Sequence, residues 1–437
     1  MSDSATGAWN RWPRLRPARV AAVHDRDAAL PALPAPMLAY GNGRSYGDVC
    51  QLEGGSLLLA RGLDRFIAFD RATGVLRCEA GVLLDEVLRL AVPAGWFLPV
   101  TPGTRYATVG GALANDVHGK NHPRAGTLGR HVRAFGLCRS DGGHLTCTPQ
   151  QHAELFAATI GGLGLTGLVT WIELQLAAVA SPWLAVETLR FGELAEFFAL
   201  AEASLASHEH AVAWIDCLAP RGRRGRGVFS RANATCGLAD GPAPPRRRLS
   251  VPFTPPFPLL GGPGLRTFNR LYWHLPRRRH RIVHYRPFFY PLDGIGHWNR
   301  LYGPRGFLQH QCVLPPSVAP AAIAALLDAI ADSGTGSFLA VLKTFGAPAS
   351  PGLLSFPRPG TTLALDFPFR GQATLALLAR LDDLVAEAGG AVYPAKDARM
   401  RGDHFRRFFP AWEAFSRHID PAFSSSFWRR VMADLAD

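Results

Sequence analysis

Apolar and polar residues alternate through Val75-Leu-Arg-Cys-Glu-Ala80, the period of two that a half-buried strand needs. Residues 55–60 and 66–69 are short apolar runs between turns and read as neighbouring strands. The period lengthens to that of a helix over 82–91, where Pro93 and Gly95 stop it. Helical spacing returns over 191–202, 317–332 and 373–388, the last closed by Gly389-Gly390. Strands at 338–343 and 362–366 lie between these helices. Helices on one antiparallel sheet are the economical arrangement for residues 182–390, so the pattern predicts an α+β protein. Its 437 residues favour two domains, each with its own core. Residues 233–290 break the pattern. They are rich in Pro, Gly and Arg, and carry Phe253, Phe257, Phe268, Tyr272, Trp273, Phe288, Phe289 and Tyr290. They read as a long irregular binding loop or lid, or as a surface loop with core anchors.

Three glycine-rich stretches punctuate the first half. In Leu38-Ala-Tyr-Gly-Asn-Gly-Arg-Ser-Tyr-Gly-Asp48, Gly41, Gly43 and Gly47 surround Asn42, Arg44, Ser45 and Tyr46. Successive N–H groups in such a turn form a nest for anions. No Gly-Lys-Ser/Thr follows and the third Rossmann glycine is missing, so neither nucleotide fingerprint applies. The second stretch runs from Thr101 to His122. Gly103, Gly110 and Gly111 let backbone approach a ligand closely, and Asn115, Asp116, His118, Lys120, Asn121 and His122 follow. Slim residues followed by polar ones suit a cofactor diphosphate and then a reactive ring. They equally suit a glycine loop before a polar surface turn. The third stretch, from Gly161, is a glycine turn that enters an alternating strand through Leu168 and Val169.

Composition narrows the class. Hydrophobic residues make up 48% and charged residues 19%, as in a soluble globular protein. No run of about twenty apolar residues occurs, and the first residues show neither a secretory nor a twin-arginine pattern. The expected location is therefore cytoplasmic, with the periplasm still open. Seven cysteines without C-x-x-C spacing point to free thiols rather than a metal site. The net charge of +13 concentrates at Arg221, Arg223, Arg224 and Arg226, at 246–248, and at 277–279 with Arg281. It reads either as a solvated surface or as attraction to anionic lipid headgroups or a lipid-phosphate substrate. Nucleic acid is disfavoured, because the basic runs lack an ordered set of stacking aromatics.

The three glycine stretches, in this order, resemble the flavin-binding domain of the vanillyl-alcohol-oxidase superfamily. Gly43-Arg-Ser-Tyr-Gly-Asp48, Val117-His-Gly-Lys-Asn-His122, Leu308-Gln-His-Gln311, Lys343-Thr-Phe-Gly346, Leu354-Ser-Phe-Pro357, Asp366-Phe-Pro368 and Ala395-Lys-Asp397 narrow the likeness. Together they resemble the decaprenylphosphoryl-β-D-ribose 2′-oxidase family from about residue 10 to the C-terminus. The resemblance implies a discontinuous PCMH-type FAD-binding domain, residues 1–181 and 391–437, with a substrate domain at 182–390. It implies FAD held by Gly41, Asn42, Gly43, Arg44, Ser45, Tyr46, Gly47, Asp48, Gly103, Thr108, Val109, Gly110, Gly111, Asn115, Asp116, Val117, His118, Leu168, Val169, Tyr393 and Lys396. Tyr46, Gln309, Gln311, Lys343, Ala364, Lys396 and Trp214 would line the substrate pocket, with Tyr290 and Trp298 nearby. Lys396 and His118 are the catalytic candidates. Read alone, Lys396 is also an ordinary surface lysine, and His118 is either a base or a structural histidine on the cofactor.

Two departures carry expectations. Many superfamily members tether FAD through a histidine in the first glycine loop. Arg44 stands there here, so FAD is expected to be non-covalent. Mycobacterial members carry a cysteine two residues before the Asp-Phe-Pro aspartate. Ala364 stands there, so cysteine-directed inhibitors should fail. The expected reaction oxidises the ribose 2′-hydroxyl of a polyprenyl-phosphoryl-β-D-ribose, and a short-chain NAD(P)-dependent reductase completes the epimerisation. Peripheral contact with the inner membrane belongs to the same expectation. The alternative is oxidation of a soluble alditol or aldonolactone. A third reading is a non-catalytic lipid-binding protein on a degenerate flavin fold.

Overall fold

Residues 6–220, 224–236, 249–260, 263–275 and 279–435 are described by the computed structural model. Near the N-terminus, the strands Arg19–Ala22, Ser56–Leu59 and Met37–Tyr40 form a parallel sheet with Ser56–Leu59 in the middle. An antiparallel sheet follows in the order Phe66–Asp70, Val75–Glu79, Leu168–Gln175, Val132–Cys138 and His144–Cys147. The helix Leu84–Ala91 buries Leu84, Val87, Leu88 and Ala91, the helical apolar stripe, within this sheet's core. Glu86 accepts the Leu83 N–H at 2.7 Å and closes its first turn.

The second half is built on an eight-stranded sheet, antiparallel at every pairing. Its order is His280–His284, Trp183–Phe191, Gly227–Ala234, His210–Ile215, Ala340–Phe345, Gly360–Pro368, Phe307–Leu314 and Ala391–Val392. The helices Leu194–Leu205, Ala319–Asp332 and Gln372–Glu387 cover one face, where Phe197, Leu326 and Leu381 meet Cys312, Leu342 and Leu363. Side chains alternate across a strand, so Gln309 and Gln311 must emerge on the opposite face from Leu308 and Cys312. That opposite face meets the glycine loops.

Three expectations are corrected. Residues 233–290 are not one irregular loop. They contain the helix Pro263–His274, the strand His280–His284 and the short helix Tyr285–Phe289. Leu265 and Asn269, one turn apart, are both buried, a spacing the Pro- and Arg-rich composition masks. The stretch 237–248 lies outside the described residues. The helix expected at 191–202 begins at Leu194, because Phe191 ends a strand and is buried near Phe197. Finally, Ala391–Val392 pairs with Phe307–Leu314, so the chain leaves the large sheet later than residue 391. It then returns to the first half, where Ser424 N–H donates to the Met37 carbonyl at 3.0 Å and Ser426 N–H to Gln51 at 2.9 Å.

The arginine runs are partly internal. Arg226 is buried against Asp216 at 2.8 Å, Arg224 pairs with Asp328, and Arg279 reaches Glu187 at 2.8 Å. Arg221, Arg223, 246–248, 277 and 278 lie outside the described residues. Among the described residues, no helix is long and apolar enough to cross a membrane.

Candidate active site

The first glycine loop leaves the strand Met37–Tyr40 and turns at Gly43 and Gly47, both at positive φ (58° and 67°). A Cβ on Gly47 would collide with the Asp397 carbonyl oxygen, so loop and Lys396 segment close on each other only through a glycine. Tyr46 N–H donates to the Ala395 carbonyl at 2.9 Å and ties the same two segments. The second loop enters the helix Val109–Ala114, whose Thr108 side chain accepts Gly111 N–H at 3.0 Å. Asn42 donates to the Tyr106 carbonyl at 2.7 Å and joins the first loop to the second. Tyr393 donates to the Asn115 carbonyl at 2.7 Å and joins the second to the C-terminal segment.

Opposite these loops lies the free face of the large sheet. Register pairs Gln309 with Asp366, Gln311 with Ala364, Ala364 with Val341, Val341 with Trp214, and Lys343 with Thr362. Paired residues share a face, so four strands bring Gln309, Gln311, Asp366, Thr362, Lys343 and Trp214 onto one face. Gln309 donates to Asp366, and Gln311 donates to Thr362 at 3.2 Å. Lys396 enters from the side, its Nζ 3.8 Å from the Tyr46 ring centroid. His118 bridges loop and sheet: Gln311 Nε2 stands 2.9 Å from its Nε2, and Lys343 Nζ 3.3 Å from its Nδ1. Phe345, Phe356 and Tyr393 surround the imidazole.

Burial sets the electrostatics. It pulls Lys343 down to about 7, helped by the charge of Lys396. It pulls Lys396 down to about 8 against the opposing pull of Asp366. Asp366 is pushed up to about 7, against the Gln309 hydrogen bond and Lys396. Desolvation, with Lys343, His122 and Lys396 nearby, holds His118 well below its usual value, so the imidazole is neutral. The Tyr46 phenol is raised well above 10 by burial and stays protonated. The site thus joins three groups poised near neutral pH, Lys343, Lys396 and Asp366, with a neutral imidazole that both Gln311 and Lys343 engage.

Several candidates stand differently from the expectation. The Asp116 carboxylate faces Ser350, Ser355 and Gly129 N–H, fastening the second loop to the 350–355 turn instead of facing the pocket. Asp48 pairs with Arg430 at 2.8 Å. Leu168 packs with Val23, Met37, Leu58 and Phe423, and Val117 and Val169 belong to the core of the five-stranded sheet. Tyr290 is buried and bonds Thr101 at 2.6 Å behind the second loop, while Trp298 packs among Trp9, Tyr302 and Phe307. Trp214 lies on the polar face, held by its indole N–H on the Phe338 carbonyl at 2.8 Å. Asp366, Thr362 and Tyr302 join the site without having been assigned a role from sequence. The signal for the first two was their register opposite Gln309 and Lys343, which no local pattern contains.

The loops fit FAD. Space around Gly103 is open, with nothing within 4 Å of where a Cβ would sit, and Gly111 meets only its own cap, Thr108, at 3.0 Å. The Asn115 Oδ1 is buried without a hydrogen-bond partner. The N–H groups of Val109, Gly110 and Gly111 are spent on Val82, Ala80 and Thr108, so the second loop would meet the cofactor through its slim glycine surface and the first loop through its turn at Gly43. In the first loop Arg44 stacks on Trp9 at 4.3 Å, and no histidine occupies the tethering position.

Comparison with known proteins agrees. Residues 15–148 match the family described as FAD binding domain. The decaprenylphosphoryl-β-D-ribose oxidase of Mycolicibacterium smegmatis is 34% identical over 413 residues, covering 90% of this chain and 89% of that one. A Streptomyces coelicolor protein is 36% identical over 373 residues, 80% of this chain and all of the relative. Cytokinin dehydrogenase 3 of Arabidopsis thaliana is 29% identical over 167 residues, 37% of this chain and 32% of its own. Likeness to the cytokinin enzyme thus covers only about a third of the chain, whereas likeness to the ribose oxidase runs through nearly all of it. The chain is an FAD-dependent oxidoreductase, and it belongs to the decaprenylphosphoryl-β-D-ribose oxidase family.

Proposed function

We propose that this protein oxidises the 2′-hydroxyl of a polyprenyl-phosphoryl-β-D-ribose to the 2′-ketone, using Lys396 as the proton acceptor. One observation carries the reading: Gln309, Gln311, Asp366 and Lys343 share one face of the large sheet, and His118 from the second glycine loop and Lys396 from the C-terminal segment meet them there. Bound FAD supplies the acceptor for the hydride that leaves C2′. The protein's own groups hold the sugar and take the proton. Gln309 and Gln311 present amides suited to sugar hydroxyls. Lys343, and Lys396 while protonated, offer cationic donors to a phosphate. Lys396 near 8 exists in part as the free amine at neutral pH, which suits it to accept the hydroxyl proton. Asp366 sets that balance by charge. His118 has both nitrogens engaged, so it orients Gln311 and Lys343 instead of acting as the base. The product ketone is consumed by a hydride-donating reductase, the short-chain NAD(P) type, to give the arabinose epimer.

An anaerobic absorbance titration tests this. Farnesylphosphoryl-β-D-ribose should bleach the oxidised flavin band, and free ribose and xylitol should not. Bleaching by xylitol alone would replace the substrate assignment with a soluble alditol.

A further inference from the structure

Large exposed apolar side chains cluster in one short region. Leu249 (77% exposed), Phe253 (68%), Phe257 (62%), Leu259, Phe268, Leu271 (62%) and Leu275 all fall between residues 249 and 275. Soluble monomers rarely leave such side chains contiguous and uncovered. The two segments that carry them sit on one cluster. Leu260 packs with Tyr46, Trp298, Tyr302, Phe307 and Phe338. On the helix Pro263–His274, Phe268 meets Phe338 at 6.3 Å and Tyr272 meets Trp214 at 4.6 Å. Both apolar surfaces therefore cap the wall that carries Tyr46 and Trp214.

The helix is sunk on one side and amphipathic on the other. Leu265 and Asn269 are buried, Phe268, Leu271 and Leu275 form an exposed stripe, and Arg266, Arg270 and His274 lie beside it. The 249–260 segment has a matching rim. Arg11 donates to Thr254 at 3.0 Å, and Arg300 donates to the Val251 and Pro252 carbonyls at 2.8 Å. Arg14 and Arg300 crowd Arg11 with like charge. Among the described residues, none of Arg11, Arg14, Arg266, Arg270 and Arg300 forms an ion pair. An apolar surface ringed by cations without carboxylates is complementary to anionic headgroups above acyl chains.

We propose that residues 249–260 and 263–275 form an interfacial docking surface for an anionic lipid bilayer, with the apolar side chains entering the headgroup boundary. The surface stands on its own geometry. Its use, delivery of a membrane-held prenyl chain to the polar sheet face beside Lys396, rests on the substrate reading above.

Vesicle flotation of the FAD-loaded enzyme tests the surface without any substrate. The wild type should float with phosphatidylglycerol-containing vesicles, far less with pure phosphatidylcholine, and less at high salt. F253S/F257S/L271S/L275S should lower flotation at least tenfold, while oxidation of the soluble farnesyl substrate stays within twofold. R266Q/R270Q should weaken binding to the anionic vesicles alone. Wild type that remains in solution with both vesicles overturns the proposal, as does a quadruple variant that floats normally. Concentration-dependent self-association abolished by the same four substitutions, without vesicle binding, would also overturn it and make a second copy the occupant. Loss of farnesyl-substrate oxidation in the wild type, with flotation intact, would count against the substrate reading and leave the surface standing.

Discussion

Lys396 and Asp366 meet at the site with opposite displacements, each brought near neutrality by burial. This makes the pH profile diagnostic. With Lys396 as proton acceptor, kcat/KM rises with pH through about 8 and then levels. D366N removes the negative charge that supports the ammonium form, so the limb moves to lower pH. K396M abolishes the limb and lowers kcat by roughly 10²–10⁴. H118Q should keep the limb, because both imidazole nitrogens are already engaged. A limb that vanishes in H118Q and survives in K396M would transfer the base role to His118. Arg44 gives a second test at this scale. It stacks between Trp9 and Tyr106 at 4.3 and 5.5 Å where a tethering histidine would stand. Mild heat or acid should release intact FAD into the supernatant. Flavin that pellets with the protein would contradict this.

Among the elements, the C-terminal helix Ser426–Met432 has a task out of proportion to its length. Its Arg430 spans Asp48, at 2.8 and 2.9 Å, and Asp397 at 2.9 Å, holding the end of the first glycine loop against the segment that carries Lys396. R430M leaves buried Asp48 without its cation and Asp397 with Arg399 alone, a loss of about 3–5 kcal/mol. The expected result is a Tm lower by roughly 5 °C and FAD that is lost on gel filtration, with R430K partly restoring both. Unchanged FAD retention in R430M would show that Gly47 packing alone keeps the segments together. None of this was legible locally, since residues 48, 397 and 430 are joined only by the fold. What was legible had a short period: the strand Val75–Glu79, the helix Leu84–Ala91 and the helix Gln372–Glu387 follow their apolar spacing closely. The helix Pro263–His274 was missed because its buried positions are few and its arginines and prolines resemble a loop. The glycine loops were readable because positive φ and close approach restrict sequence at single positions such as Gly47.

Across the whole molecule, three lysines are buried: Lys343 and Lys396 at the candidate site, and Lys120 against Phe288 and Phe289. Burial holds Lys120 and Lys343 near 7 and Lys396 near 8, while Asp366 sits near 7. Each lysine binds fewer protons in the folded chain than in the unfolded one between its folded value and 10.5. Stability therefore rises with pH across that window, and the full penalty applies below about 7. Asp366 acts in the opposite sense, but only between 3.8 and about 7, so it is silent above neutrality. The FAD-free protein should accordingly melt at a higher temperature at pH 9 than at pH 7. K343M should flatten the rise by removing one of the three contributors. A phosphate-bearing ligand supplies the missing counter-charge, so the protein saturated with FAD and farnesyl phosphate should show a shallower dependence than the FAD-free form. Scanning calorimetry at pH 7, 8 and 9 decides it. A melting temperature independent of pH in the FAD-free protein, or an unaltered slope in K343M, would mean that these lysines are solvated and paired. The proposed preference for anionic lipid sugars would then need another origin.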